Sequence, residues 1–281
     1  MRVYISADLE GIAGVATLDQ VVRGALGYPR AQQLMTAEVN AAIEGAFDGG
    51  ATSVVVNDSH GTMDNLLPDQ LDPRARLVFG APKAQCMAQG LTPDFDVAFF
   101  VGYHAAAGSP GVLAHSFSSH FLRLRLNGAA VSEADVNALY AASQGVPIGL
   151  VTGDKDLCKA TATSLPEAVT VCVKEAEGWS AIDSVHPVAA ATAIRGAAAR
   201  AVQSVQSLPL ASVPARLEAE VEMSMPTAAE LAAQLPGSVR VSELTVRQTV
   251  DTPAQLLGLI VIWSLVAGVA ARERIGLIQR R

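Results

Sequence analysis

The chain has 281 residues, of which 50% are hydrophobic and 5% aromatic, and its formal net charge is −7. This length and composition allow one large globular domain or two smaller ones, with a core rich in Ala, Val and Leu. The 20 basic and 27 acidic residues are spread along the chain without basic runs. That distribution argues against nucleic acids and anionic membrane surfaces as partners and leaves small molecules or short peptides.

The cysteines and the N-terminus bear on the cellular compartment. Cys86, Cys158 and Cys172 are far apart, and no pair has Cys-x-x-Cys spacing. Such a set favours packed thiols in a reducing compartment over a disulfide framework. The N-terminus runs directly into an apolar strand pattern, without the features of a secretory leader. We therefore expect a cytoplasmic protein.

The first predicted strand, residues 3–7, leads into two acidic residues one position apart. Asp8 and Glu10 project to the same side of an extended chain, and Gly11 then allows a sharp turn. Two carboxylates this close repel each other, so in a partly buried place they need a cation or a proton. Open α/β sheets bind ligands at the carboxyl ends of their strands, which makes this pair a candidate site. A solvated turn is the structural alternative.

Strands and helices then alternate along the chain. A helix is predicted over residues 30–48, because its apolar positions recur at helical spacing and it is followed by Gly49-Gly50. Continuous apolar runs predict strands that are buried on both faces. These strands cover residues 53–57, 96–102 and 146–152, with a possible further strand over 169–173.

Histidines follow two of these buried strands. His60 comes after the run 53–57, with Asp58 beside it, and His104 comes after the run 96–102. A single histidine is more often structural, but parallel strands bring their ends together, so this repetition predicts a shared metal site. Mixed carboxylate and imidazole ligands favour zinc, or less often manganese, cobalt or iron. Asp58 remains an alternative to His60 on this evidence.

A small-residue loop and a helix start supply the other candidates. His115 lies in the loop 108–119, and His120 follows shortly before an alternating strand with an Asn-Gly hairpin turn. Glu133 and Asp135 lie in the first turn of the next predicted helix, where the helix dipole stabilises carboxylates whatever their function. The residues alone do not decide between His115 and His120, or between Glu133 and Asp135.

The last third of the chain is predicted to be a smaller α+β part that follows a linker flanked by Pro209 and Pro214. The expected fold class is α/β, a three-layer domain with a mostly parallel sheet plus a smaller C-terminal α+β domain. We assign residues 1–208 to the first domain, with a hairpin excursion near 109–131, and residues 209–281 to the second.

The stretch 254–271 near the C-terminus is apolar apart from Gln255 and Ser264, and Arg272, Arg274, Arg280 and Arg281 follow it. A membrane span needs ~20 apolar residues. Because this stretch is shorter and follows a long globular body, we expect a helix buried in the core or at a subunit contact rather than a tail anchor. No membrane partner is expected.

The motifs together resemble the M55 metallopeptidase family of D-aminopeptidases. The resemblance covers nearly the whole chain, including the helix around residues 30–51 and the late segment 235–241, and its motifs occur in family order. They are SADLEG (6–11), NDSHG (57–61), GYHA (102–105), PGVLAHS (110–116) and LNG…SEADVNALYA (126–141).

The resemblance implies a site with two Zn²⁺ ions per chain. Asp8 would bridge both ions, Glu10 and His60 would complete one, and His104 and Glu133 the other, while His115 would be the catalytic histidine. It thus favours Glu133 over Asp135 and His115 over His120. Two Zn²⁺ with three carboxylates and neutral imidazoles leave about one net positive charge, which suits the activation of water at neutral pH. This chain has Ser132 where the family usually has glycine, which changes backbone freedom but removes no ligand.

The expected activity is hydrolysis of short peptides or amides with a free N-terminal amino acid. The resemblance alone implies that the N-terminal amino acid is a D-residue. It also implies a ring-like homo-oligomer, a decamer. The alternatives are a metal-dependent amidohydrolase or phosphoesterase with a non-peptide substrate, and a non-catalytic peptide-binding protein. The second of these would have no need of His115.

Overall fold

A computed structural model describes residues 1–279 of the chain, with side chains described for residues 1–273. The strands are β1 (Arg2–Ala7), β2 (Ser53–Asp58), β3 (Ala75–Val78), β4 (Val97–Tyr103), β5 (Phe121–Leu126), β6 (Ala129–Ala130), β7 (Ile148–Asp154), β8 (Val169–Gly178), β9 (Ala181–Ser184), β10 (Leu217–Met223), β11 (Val239–Arg240) and β12 (Thr245–Val250). The α-helices are α1 (Leu18–Val21), α2 (Tyr28–Asp48), α3 (Glu133–Ser143), α4 (Lys155–Ser164), α5 (Pro187–Gln203), α6 (Pro226–Ala232) and α7 (Pro253–Gln279).

The larger sheet positions the candidate site. Its described strands run in the order β3-β2-β1-β4-β7-β8-β9 and are parallel except for the last pair. β4 and β7 are buried along their whole length, as expected for strands covered on both faces. The strand order reverses around β1, so chain connections leave in opposite directions there. Open α/β sheets bind their ligands at such a switch point.

Helices cover the larger sheet on both faces. α2 and α5 pack against one face and against each other. Their approach is close, because a Cβ built at Gly45 of α2 would lie 2.1 Å from the Arg195 carbonyl oxygen of α5. α3 and Leu157 of α4 pack on the opposite face. The predicted α/β class with a mostly parallel sheet is confirmed.

The smaller sheet is antiparallel and has the strand order β11-β12-β10-β5-β6. β10 alternates buried and half-buried positions, because one of its faces packs against the core and the other faces solvent. The hairpin β5–β6, which lies within the predicted excursion near 109–131, pairs through β5 with β10 and therefore belongs to this sheet. The smaller sheet thus combines two separate parts of the chain. The domain division between residues 208 and 209 stays a prediction.

The terminal helix α7 packs against the smaller sheet with one face. Leu257, Ile260 and Trp263 on that face are buried, whereas Ile262, Leu265 and Val269 are exposed. By length and composition alone, its segment Pro253–Glu273 could cross a membrane, and only 33% of its most apolar window is buried. Of the arginines noted in the sequence, Arg280 and Arg281 lie outside the described residues, as does the side chain of Arg274.

Candidate metal centre

The ends of β1, β2 and β4 lie side by side. Ala7, the last residue of β1, pairs with Asp58 of β2 and with Val101 of β4. The residues that follow these strands, including Asp8, Glu10, His60 and His104, therefore converge on one place. The chain can turn there because Gly11 has no side chain: a Cβ at Gly11 would lie 1.9 Å from the Tyr103 carbonyl oxygen.

Asp8, Glu10 and His60 form one half of the cluster, and all three are buried. His60 Nδ1 lies 2.8 Å from Glu10 Oε2 and 3.4 Å from Asp8 Oδ1. His60 Nε2 lies 2.8 Å from the Val21 carbonyl oxygen, to which it donates. When the imidazole is neutral and Nε2 carries the proton, Nδ1 has a lone pair that faces the two carboxylates. Because a lone pair and carboxylate oxygens repel each other, a proton or a cation is required between the nitrogen and the carboxylates.

His104 and Glu133 form the other half. His104 Nδ1 donates to the Ala105 carbonyl oxygen at 2.9 Å. Its Nε2 lies 3.5 Å from Asp8 Oδ2 and 3.4 Å from Glu133 Oε2. Within the described part of the chain this nitrogen is buried without a hydrogen-bond partner. A buried polar atom of this kind calls for an explanation, and binding of a metal ion would supply one.

Glu133 and Asp135 make different hydrogen bonds at the start of α3. Asp135 caps the helix: its Oδ2 accepts from the Ser132 backbone N–H at 2.8 Å, while its own N–H donates to Ser132 Oγ at 3.1 Å. This reciprocal pair is a capping box, so the carboxylate of Asp135 is already used. Glu133 is free to face His104, and its Oε1 accepts from the Phe117 N–H at 2.5 Å.

His115 lies at the rim of the cluster. Its ring stacks on that of His104 with a centroid distance of 4.3 Å and an interplanar angle of 13°. Nδ1 donates to the Leu113 carbonyl oxygen at 2.9 Å, and Nε2 lies 3.8 Å from Glu133 Oε1. Its side chain is 26% exposed, whereas that of His104 is 1% exposed. His115 is therefore the most exposed of the three imidazoles, since the His60 side chain is 10% exposed.

The two remaining sequence alternatives have other surroundings. Asp58 Oδ2 accepts from the backbone N–H groups of Asn65 and Leu66 at 2.6 and 2.7 Å. That carboxylate closes a turn of the chain and has little capacity left for a ligand. His120 lies just before β5, and its carbonyl oxygen accepts from the Ser224 N–H.

Among the described residues, two groups offer three ligand atoms within 4.8 Å of one another: Asp8, Glu10 and His104, and also His104, His115 and Glu133. His115 thus has the position of a possible ligand as well as that of a catalyst. The five ligands predicted from the sequence lie together, and their role as ligands stays a prediction.

The electrostatics of the cluster reflect buried carboxylates close to imidazoles. Burial and the Glu10 carboxylate raise the pKa of Asp8 to about 7. Burial lowers the pKa of His104, but the Glu133 and Asp8 carboxylates outweigh it and raise that pKa to about 10. Bound protons thus favour the positions between imidazole nitrogens and carboxylate oxygens. A divalent cation at the same positions would be stabilised by the same carboxylates and would carry more positive charge. The donor set therefore fits a metal such as zinc.

Three backbone carbonyls that support this site were not predicted from the sequence. Those of Val21, Ala105 and Leu113 each accept from one ring nitrogen of a site histidine. Such bonds fix the orientation of a ligand ring. Backbone acceptors carry no residue-type signal, so a sequence does not reveal them. The loop of His115 is also tied to the β8–β9 turn, because the Leu113 N–H donates to the Trp179 carbonyl oxygen at 2.8 Å.

Comparisons with known proteins identify the family of this chain. The family model for peptidase M55, described as D-aminopeptidase, matches residues 1–262. The chain belongs to the M55 family of D-aminopeptidases. A D-aminopeptidase of Bacillus subtilis (strain 168) is 35% identical over 238 residues, which cover 85% of this chain and 87% of the relative. The predicted family and the prediction of an enzyme are confirmed.

A solved structure supports the same membership of the M55 family. It is the Zn-dependent D-aminopeptidase DppA from Bacillus subtilis, called a self-compartmentalizing protease. It superimposes with a TM-score of 0.92 at 32% sequence identity, covering 95% of this chain and 98% of that chain. The fold of this M55 member, including its smaller sheet, is therefore that of a solved peptidase.

Proposed function

We propose that this M55 member is an aminopeptidase with two zinc ions per chain, which hydrolyses short peptides or amides bearing a free N-terminal D-amino acid. The observation that carries the proposal is the buried cluster at the strand ends. In this cluster, three carboxylates face His60 Nδ1 and His104 Nε2, the ring nitrogens that do not donate to a backbone carbonyl oxygen. The family and the zinc dependence stated for the Bacillus subtilis relative support the metal.

The position of Asp8 supports a shared role between two metal ions. Its Oδ1 faces His60 at 3.4 Å and its Oδ2 faces His104 at 3.5 Å. Glu10 and His60 would therefore hold one ion with Asp8, and His104 and Glu133 would hold the other. Carboxylates that bridge two metals in this way are found in hydrolases whose ions lie ~3.5–4 Å apart.

Amide hydrolysis requires a proton donor or an oxyanion-binding group, and His115 is the candidate for this role. Zinc supplies Lewis acidity, which lowers the pKa of water and polarises a carbonyl group. As water adds to the scissile carbonyl carbon and the C–N bond breaks, the departing amine must gain a proton. Among the described residues His115 Nε2 has no hydrogen-bond partner, and the side chain is 26% exposed, so it would deliver that proton or hydrogen-bond the developing oxyanion. The buried carbonyl partner on Nδ1 keeps Nε2 directed towards the cluster.

The proposed enzyme is a cytoplasmic homo-oligomer. The relative is called self-compartmentalizing, which supports a homo-oligomer, and we retain the ring-like decamer as the expected form. A cytoplasmic location is supported by Cys86, Cys158 and Cys172, which are free thiols in the structure. A short peptide is the expected partner of the site.

The proposal is tested by hydrolysis of D-Ala and L-Ala p-nitroanilides with zinc-loaded and chelator-treated protein. We expect turnover of the D-substrate that exceeds that of the L-substrate, disappears on chelation and returns with zinc. D-Ala dipeptides should also be cleaved. Phosphoester hydrolysis without amide hydrolysis, or zinc-loaded protein that cleaves none of these amides and peptides, would contradict the proposal.

A further inference from the structure

Lys174 on β8 has a position that the site described so far does not explain. Its side chain is almost fully buried, with 1% of its surface exposed. Burial lowers the pKa of its ammonium group to about 8, because removing a charge from water is costly. A lysine is kept in such a place only where its three N–H bonds are satisfied.

The acceptors of Lys174 all belong to the loop that carries the first metal-ligand candidates. Nζ donates to the carbonyl oxygens of Glu10, Ile12 and Val15, the last two at 2.9 and 2.6 Å. These residues are more than 150 positions away in the sequence. Three carbonyl oxygens that point to one place repel each other unless a cation lies between them. The ammonium group supplies that cation.

Other hydrogen bonds restrain neighbouring residues of this loop, and Gly14 is held by Ser184 Oγ and Gln20 Nε2. The Gly11 N–H donates to the Gly102 carbonyl oxygen at 2.8 Å, and the Ala13 N–H donates to Glu38 Oε1 at 2.8 Å. Lys174 is the group that binds the carbonyl of Glu10 itself, on the residue whose carboxylate lies 2.8 Å from His60 Nδ1. A shift of that carbonyl would move the carboxylate with it.

We propose that Lys174 is a positioning residue for the metal centre, whose ammonium group holds the main chain of residues 10–15 so that the Glu10 carboxylate faces His60. This inference rests on the proposed metal function. Partners that orient a ligand in this way typically change metal affinity ~10- to 100-fold when they are lost. Among the described residues its Nζ donates to backbone carbonyl oxygens and to no ligand side chain, so its effect passes through the backbone.

The test is the zinc affinity of the folded full chain, measured by competition with a chromophoric chelator. Lys174→Ala should bind zinc ~10- to 100-fold more weakly than the wild-type protein. Added n-propylammonium, which matches the atoms removed, should restore the affinity. Lys155→Ala is the matched control, because Lys155 is exposed and, within the described part of the chain, its ammonium group pairs with Glu175 alone, at 2.7 Å. Its zinc affinity should equal that of the wild-type protein.

A second variant guards against a failure to fold. Lys174→Gln keeps most of the side chain and two N–H donors without the charge, so it should fold and bind zinc with intermediate affinity. Lys174 variants that are less heat-stable but bind zinc as tightly as wild type would show a purely structural lysine and overturn the inference. If wild-type protein itself bound no zinc, the proposed function would fail instead.

Discussion

At the scale of single residues, the imidazoles of the cluster differ in what their second nitrogen can do. His60 and His104 are buried and face two carboxylates each, whereas His115 faces Glu133 alone and reaches solvent. A metal ligand needs a fixed lone pair, and a proton carrier needs exchange with water. The surroundings therefore favour His60 and His104 as metal ligands and His115 as the catalytic residue, and these roles stay predictions.

This division predicts different losses on substitution. His115→Ala should keep its zinc content and fold but lose ~10²- to 10⁴-fold in kcat, the range for a proton carrier or oxyanion donor. KM should change less, since the metal centre remains intact. The measurement is metal analysis beside steady-state hydrolysis of D-Ala p-nitroanilide.

His60→Ala and His104→Ala are the controls for that experiment, and each should lose zinc. Near-normal turnover by His115→Ala would remove its catalytic role and return His120 to consideration. Loss of one zinc ion in the same variant would instead make His115 a ligand, as its group with His104 and Glu133 allows.

Glu38 gives a prediction on pH. Burial raises the pKa of its carboxyl group to about 7, and its Oε1 accepts from the Ala13 N–H. A carboxyl group whose pKa is raised in the folded state contributes stability that is fully present below its unfolded pKa and is lost as pH rises through the folded value. Relative to Glu38→Gln, the wild-type protein should therefore lose stability between about pH 4.5 and pH 7.

The measurement is the difference in unfolding free energy between wild type and Glu38→Gln across that range. Using the difference removes the pH dependence that both proteins share, including that of the metal site. A difference that stays constant, or one that grows in favour of wild type as pH rises, would contradict the raised pKa.

The sequence revealed which residue types meet at the site but not which oxygen atoms are still free. Asp58 and Asp135 have the same chemistry as the proposed ligands, and their hydrogen bonds to Asn65 and Ser132 show that both carboxylates are occupied. The Ser-x-x-Asp spacing of a capping box is visible in the sequence and could have removed Asp135. Lys174 was missed because the strand was expected to end at Val173.

At the scale of elements, the site depends on how closely the strand ends approach. The turn after β1 passes against the end of β4, where the Tyr103 carbonyl oxygen lies 1.9 Å from a Cβ built at Gly11. Gly11→Ala should push that carbonyl aside, move the adjacent His104, and cost ~1–3 kcal/mol of stability, as overpacking does. Zinc affinity should fall as well.

Gly258→Ala is the matched control for Gly11→Ala. No heavy atom lies within 4 Å of a Cβ at Gly258 among the described residues, and alanine in this helix should stabilise it by up to ~1 kcal/mol. Thermal unfolding and zinc titration of both variants check the prediction. A Gly11→Ala protein with wild-type stability and zinc affinity would contradict the close approach.

Elements with strong local patterns were predicted, and those that depend on distant partners were missed. α2 and the buried strands β1, β2, β4 and β7 have apolar patterns that identify them without tertiary information. The short, partly exposed β3 and β9 and the amphipathic α4 were not predicted. The pairing of β5 with β10 joins residues 93 to 102 positions apart, and no local pattern specifies it.

At the scale of the whole molecule, α7 packs on the smaller sheet with one face and exposes the other face to solvent. Its inner face is part of the core, and its outer face bears Ile262, Leu265 and Val269. We expect the intact protein to remain in the soluble fraction without detergent, because the inner face is already packed against protein. Tight partitioning into membranes would support the tail anchor instead.

Substitutions on the two faces of α7 should have different effects. Ile260→Asp should prevent folding or assembly, since it buries an unpaired charge. Leu265→Asp is the control: its site is 59% exposed, so the fold should survive, and a change of oligomer size alone would place a subunit contact there. Circular dichroism and size-exclusion chromatography check both variants. A folded Ile260→Asp protein of wild-type size would contradict this packing of α7.

The central claim is that the strand-end cluster holds two metal ions through a shared carboxylate. The measurement that tests it most directly is zinc content per chain in wild type and in Asp8→Ala. Because Asp8 faces both His60 and His104, we predict about two zinc ions in wild type and loss of both in the variant. A variant that still holds about two zinc ions, or a wild-type protein that holds none, would contradict the claim.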